Sequence, residues 1–258
     1  MKKKGFSIEF LHITGCLLVL LNGLLYLVPS ITISGPSGVE MTFSWIDKLG
    51  IFTFPIFAFL LVEEVQHTEN IKKTAIGLLV LAVAFEIPFD LVHNYRVFDF
   101  SLNNQFFTLF LGLAALVLLR KAGNPFLKFA GIAVIAGISC IMDFEYGLGG
   151  ILMVLLFQAT REMPCKRLLQ LLGMLVIAWI SMRLSLHGIM SMISPGYIPV
   201  FGGRFLNAQY LYIGALLPIS LYNHRRQFQR DTFLIITYGC LPIAYLGIFL
   251  FRYITMGF

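Results

Sequence analysis

The sequence predicts an all-α integral membrane protein: one polytopic bundle of about nine transmembrane helices, with the N-terminus inside and the C-terminus outside. Three observations carry that reading. First, 58% of the 258 residues are hydrophobic and only 12% are charged, whereas soluble domains run nearer 45–50% apolar and about 25% charged. Second, nine apolar runs approach the roughly 20 residues that a helix needs to cross a bilayer. Third, the basic residues fall on one side of the resulting topology. Alternating the loops from an inner N-terminus puts Lys2, Lys3, Lys4, Lys72, Lys73, Arg120, Lys121, Lys128, Arg161, Lys166, Arg167, Arg225, Arg226 and Arg230 inside, 14 of the 19. Lys48, Arg96, Arg183, Arg204 and Arg252 remain outside. A 14 to 5 bias is the positive-inside pattern.

The net charge of +6 therefore marks topology and not nucleic-acid binding, because the basic residues form short clusters between apolar runs. The predicted spans are residues 8–28, 49–65, 73–90, 105–120, 126–142, 147–160, 168–186, 205–222 and 232–252, forming a single membrane domain. Lys2-Lys3-Lys4 ahead of an apolar run imitates a signal peptide, but Glu9 and His12 interrupt the stretch before Cys16. The uninterrupted run follows Cys16, so it reads as a retained first span. Loops 29–48 and 91–104 are outer and polar. The stretch 188–203, broken by Pro195, Gly196 and Pro199, reads as an outer lid, a re-entrant element or an interfacial loop. Cys16, Cys140, Cys165 and Cys240 are scattered without metal or redox spacing, and no two histidines have ligand spacing. No internal repeat suggests a transporter.

Charged residues at membrane depth are costly and need partners or a function. Taking 1.5 Å of rise per residue, Glu86 lies roughly 20 Å into the membrane beyond Lys73, with Asp90 one turn on along the same face. Pro88 between them removes a backbone donor. Asn22 of the first span, Asn104 and Thr108 of the fourth, and the turn carrying Asp143 and Tyr146 reach a similar level. So do Arg183 and His187 of the seventh. Arg183 is the expected ion-pair partner of Glu86, Asp90 or Asp143. The cluster reads either as a structural ion-pair network or as a reaction site. A second cluster lies at the inner face: Glu63, Glu64 and His67 share a helix face if the helix continues that far, and Asn70, Lys72 and Lys73 follow. It reads as a cytoplasmic anchor or as a dock for an anionic cofactor, whose phosphates suit Lys and Arg.

The stretch Phe54 to Leu60, FPIFAFL, is followed by Glu63 or Glu64, His67-Thr68, Asn70 and Glu86-Ile87-Pro88-Phe89-Asp90. With the weaker echoes Asn104 to Leu109, Leu111-Gly112-Leu113, Asp143, Tyr146-Gly147 and Gly150, it resembles the TraX family of bacterial membrane proteins. The likeness runs over roughly residues 8 to 160; beyond that only hydrophobicity is recognisable. That family is similar to the acyltransferase-3 group and is named for an enzyme that acetylates a pilin N-terminus. The resemblance implies a multi-pass enzyme of the cytoplasmic (inner) membrane that moves an acetyl or other acyl group from cytosolic acetyl-CoA. The acceptor would be a peptide, protein or small amine or alcohol, with lipids as the surrounding partners and no nucleic acid.

Glu63, His67, Asn70, Lys72 and Lys73 would then bind acetyl-CoA. Asn104, Thr108, Tyr146, Arg183 and His187 would bind the acceptor, and Glu86, Asp90, Asp143 and Asn22 would form the catalytic set. A polar tunnel would join the two sides. Relatives carry Asp-His in the first span, where this chain aligns Leu21-Asn22, and asparagine cannot take a proton. Either another group, such as Glu86, Asp90 or Asp143, is the base, or the chain is an inactive relative serving as scaffold or carrier.

Overall fold

The structure, a computed structural model, describes residues 5–25, 31–34, 40–43, 50–68, 70–99, 103–142, 144–184, 209–223 and 230–256. Among these are nine α-helices: α1 (Ile8–Leu25), α2 (Thr53–His67), α3 (Ile71–Asn94), α4 (Gln105–Lys121), α5 (Pro125–Ile141), α6 (Gly147–Thr160), α7 (Lys166–Leu184), α8 (Leu216–Ser220) and α9 (Arg230–Met256). Two short antiparallel strands, β1 (Ile31–Ser34) and β2 (Glu40–Phe43), pair Ile31 with Phe43 inside the predicted outer loop. The predicted helical class holds, and most predicted boundaries fall within a few residues of the observed ones.

Four helical segments, Ile8–Leu25, Gly50–His67, Ile71–Asn94 and Phe233–Thr255, are long and apolar enough to cross a membrane; Pro125–Ile141 and Gly147–Thr160 are apolar but shorter. The eighth predicted span differs. Its described part is a 3₁₀ segment, Gln209–Ala215, running into the single α-turn of α8. Pro218 lies in the first turn of α8, where its missing N–H would have no intrahelical partner. Pro88 and Pro242 are accommodated inside the continuous helices α3 and α9.

The bundle is built around α2. Every residue from Thr53 to Val65 is buried, on all faces of the helix, as expected of a helix hydrophobic all round. It packs against α1, α4 and α6, and α3 and α9 close the bundle beside α1 and α4. In lipid the apolar side chains gain little by leaving their surroundings, so close packing must hold such helices together. Glycine permits it at two places. A side chain at Gly15 of α1 would run into the Phe57 ring, and one at Gly150 of α6 would meet Phe54 and Thr108.

The helix ends sort into two groups. At one end Phe6 N–H donates to Leu221 O at 2.8 Å, Arg120 to Val65 O at 3.0 Å, and Arg167 to Ile219 O at 2.7 Å. At the other, Glu145 N–H donates to Asn103 O at 2.8 Å, Tyr146 Oη to Gly50 O at 2.9 Å, and Arg252 to Val92 O at 3.3 Å. These are the sets that the sequence assigns to the inner and outer faces, and they are called the inner and outer ends below.

Candidate functional site

At the outer end the start of α4 is the organising feature. A helix N-terminus presents backbone N–H groups without intrahelical partners. Asn104 caps it, accepting the Phe106 N–H at 3.0 Å on Oδ1. The same fully buried side chain points Nδ2 at two acceptors, Ala82 O at 2.8 Å and Glu86 Oε2 at 2.5 Å, and the Asn104 backbone N–H adds a second bond to Glu86 at 3.2 Å. Glu86 is thus held against the positive end of a helix, where a carboxylate is favoured. Its second oxygen, Oε1, is buried without a hydrogen-bond partner among the described residues.

Asp90, one turn further along α3 and 1% exposed, accepts the Asp99 N–H at 2.9 Å on Oδ2. The predicted carboxylate pair is therefore real in placement, and its observed hydrogen bonds come from Asn104 and the Asp99 backbone. The Arg183 side chain, His187 and Asp143 lie outside the described residues, and with them the expected ion pair. Thr108, fully buried, donates to Glu145 O. Tyr146 stacks on Phe54 at 4.5 Å between ring centres. Asn22 reaches the same end, its side chain lying against Gly50.

Sequence reasoning left Glu145 out of the site. In the turn between α5 and α6, its carboxyl accepts a backbone hydrogen bond from Gln105, the first residue of α4. Burial pushes the Glu145 carboxyl up from 4.5 to about 8; the Gln105 bond opposes the rise, and the nearby Glu86 carboxylate adds to it. Two carboxyl groups therefore share one helix N-terminus. The available signal was the sequence distance of Glu145 from Tyr146, one residue, in a turn already predicted to be polar.

The inner end holds a cavity of about 280 Å³. It is lined by Phe59, Val62 and Glu63 of α2, Phe157 of α6, Arg161 and Glu162 of the following turn, and Lys166, Arg167 and Gln170 of α7. Arg161 Nε reaches Glu63 Oε1 at 3.2 Å. Of the predicted cofactor residues, only Glu63 lines this cavity. His67 is exposed and its Nδ1 lies 2.7 Å from Glu63 O. Asn70 caps α3, accepting the Lys73 N–H at 3.1 Å, and Lys72 and Lys73 project from its first turn, exposed.

Between the two ends the interior carries aromatic rings where a polar tunnel was expected. Phe57, Phe85, Phe106, Tyr238 and Tyr245 contact one another with ring centres 4.6–6.2 Å apart. One polar group joins this cluster from the inner side. His12 of α1, 6% exposed, lies with Nδ1 2.7 Å from Tyr238 Oη, and Tyr238 is within electrostatic range of Glu64. In the sequence His12 interrupts the run before Cys16; the structure buries it.

Among the described residues no group of three or more His, Cys, Asp or Glu could hold a metal ion. A family model described as TraX protein matches residues 33–240, about four-fifths of the chain. The first helix, with Asn22 and His12, lies outside the matched range. No curated protein and no solved structure matches the chain.

Proposed function

The chain belongs to the TraX family, and from that premise we propose that it is a multi-pass acyltransferase of the cytoplasmic membrane. It moves an acetyl or other acyl group from cytosolic acetyl-CoA to an amine or hydroxyl acceptor, such as a peptide or protein N-terminus. The observation that carries the reading is Glu86: a buried carboxylate fixed by two hydrogen-bond donors at the start of α4, the side-chain amide and the backbone N–H of Asn104, with one oxygen left over among the described residues. A structural carboxylate needs the first feature only.

An amine attacking a thioester carbonyl forms a C–N bond, breaks the C–S bond and releases a thiol. The amine must also give up a proton, which a base within hydrogen-bond reach accepts. Glu86 Oε1 suits that role, with Asp90 one turn outward and Glu145 beside it. Asn22 is an orienting donor, and donors at the α4 start suit developing negative charge. Glu86→Gln keeps an acceptor for Asn104 but cannot take the proton, so turnover should fall about 10²–10⁴-fold. The assay is thiol release from acetyl-CoA with purified protein and an acceptor peptide. Full turnover in Glu86→Gln would reject Glu86 as the base.

A second reading is favoured by His12, which is buried, is bonded to Tyr238 and sits in the helix where relatives carry a histidine. In that case His12→Gln abolishes turnover and Glu86→Gln spares it. Loss in neither variant, with no thiol release from the wild type, supports the inactive scaffold or carrier.

A further inference from the structure

We propose that the inner cavity between α2, α6 and α7 is a phosphate-binding pocket that takes the diphosphate end of the acyl donor. The assignment of the occupant rests on the acyl-transfer reading; the anion chemistry of the pocket does not. Arg161, Lys166 and Arg167 line it, against the carboxylates of Glu63 and Glu162. Glu63 engages Arg161, and Glu162 is a rim residue whose side chain is 88% exposed.

Arg167 is held differently. Its guanidinium donates to Gln170 Oε1 at 2.8 Å and Ile219 O at 2.7 Å and lies 5.7 Å from the Phe59 ring centre. Those hydrogen-bond and ring partners are all neutral; the carboxylate that acts on its charge is Glu63, which is shared with Arg161. Lys166 has no ion pair among the described residues. Both sit in the first turn of α7, where the helix dipole disfavours cations, so helix stability does not explain them.

The positive-inside rule asks only for basic residues in the loop. It is met by Lys72, Lys73, Arg120 and Lys121, which are exposed. Arg161, Lys166 and Arg167 are instead half-buried around a partly open cavity. Arginine forks and lysine ammonium groups arranged so are what phosphate oxygens require. The volume of about 280 Å³ lies just below the usual range for small-molecule sites, about 300–1,000 Å³. It admits the phosphate end of a nucleotide and leaves the rest at the mouth.

The test measures binding of coenzyme A and of inorganic pyrophosphate to the full-length protein in neutral detergent. Lys166→Gln is expected to weaken coenzyme A about tenfold, the worth of one charge-assisted bond, and to flatten the salt dependence. Lys166→Arg restores both, and Lys121→Gln, at an exposed lysine of the same face, binds like the wild type. Coenzyme A that binds equally well to Lys166→Gln would overturn the pocket and leave the acyl-transfer reading standing. Pyrophosphate binding that depends on Lys166, with no coenzyme A binding, would keep the phosphate pocket and sink the acyl-donor reading. Nanodiscs of phosphatidylcholine with and without phosphatidylglycerol form the lipid arm. Loss of pyrophosphate binding only with phosphatidylglycerol would assign the pocket to a lipid headgroup and overturn the donor assignment. No binding of any of the three probes would overturn the pocket outright.

Discussion

Exchanging the chemistry of Asn104 and Glu86 tests the centre of the outer site. Asn104→Asp keeps the cap acceptor for Phe106 N–H but removes Nδ2, the donor to both Ala82 O and Glu86 Oε2. Two carboxyl groups then face one another, buried, and Glu86 loses its closest donor. Leaving a buried acceptor without its donor costs about 1–3 kcal/mol, more when the group is charged. Glu86→Gln alone is milder, because the amide oxygen still accepts from Asn104. The double variant Asn104→Asp/Glu86→Gln restores one donor facing one acceptor, with donor and acceptor exchanged, and retains the cap. Its stability should exceed the additive expectation by about 0.5–3 kcal/mol, the range for groups sharing one hydrogen bond. Thermal or denaturant unfolding of all four proteins in the same detergent closes the cycle. Strict additivity, within about 0.5 kcal/mol, would mean that Asn104 and Glu86 do not share this bond and that the outer site is wrongly built.

Two further outcomes follow from particular residues. Burial raises the Glu145 carboxyl from 4.5 to about 8, so the folded protein binds a proton that the unfolded chain has released. Stability from this group is complete below about pH 4.5 and lost as pH rises through about 8; Glu145→Gln should remove that part of the pH dependence, and an unchanged profile would refute the assignment. Cys165 is exposed in the turn between α6 and α7, which the topology puts in the cytoplasm. Kept as the sole cysteine, it should react with an impermeant maleimide only in inverted vesicles, and labelling of intact cells would reject the N-in arrangement.

Most of the helical framework was legible because a membrane leaves few solutions. Backbone polar groups must bond within their own segment, so an apolar run of sufficient length is nearly a helix by necessity, and α1, α3 and α9 were readable on that ground alone. The eighth span was not: hydropathy over 205–222 does not separate an α-helix from the 3₁₀ segment and single α-turn that its described part forms. Family likeness was legible through the Phe54 to Asp90 motifs and fell silent after residue 160, whereas the match extends to residue 240. In α7 and α9 the sequence is mostly apolar, Leu and Ile above all, with no run of distinctive polar residues to form a motif.

The site was legible where charge interrupts an apolar run and obscure where partners come from elsewhere in the chain. Glu86 and Asp90 stood out in α3 because their cost in lipid is plain from the sequence. Charge alone suggested Arg183 as their partner, and its side chain lies outside the described residues; the donors observed are the Asn104 amide and two backbone N–H groups. The start of α4 already offers oriented N–H groups and a capping asparagine, which compensate a carboxylate without a second buried ion to desolvate. Lys72 and Lys73 were conspicuous because a lysine pair beside a motif is visible in one dimension, whereas Lys166 and Arg167 come together with α2 only in the folded chain. Lys72 and Lys73 extend from the bundle into solvent, while α7 turns Lys166 and Arg167 toward Phe59 and Glu63 of α2. Helix α2 therefore links both ends. Phe54 stacks on Tyr146 at the outer site, and Glu63 borders the inner cavity nine residues on, about 14 Å along the axis. Under the proposed acyl transfer, a group carried from one end to the other along α2 passes the ring cluster where His12 meets Tyr238.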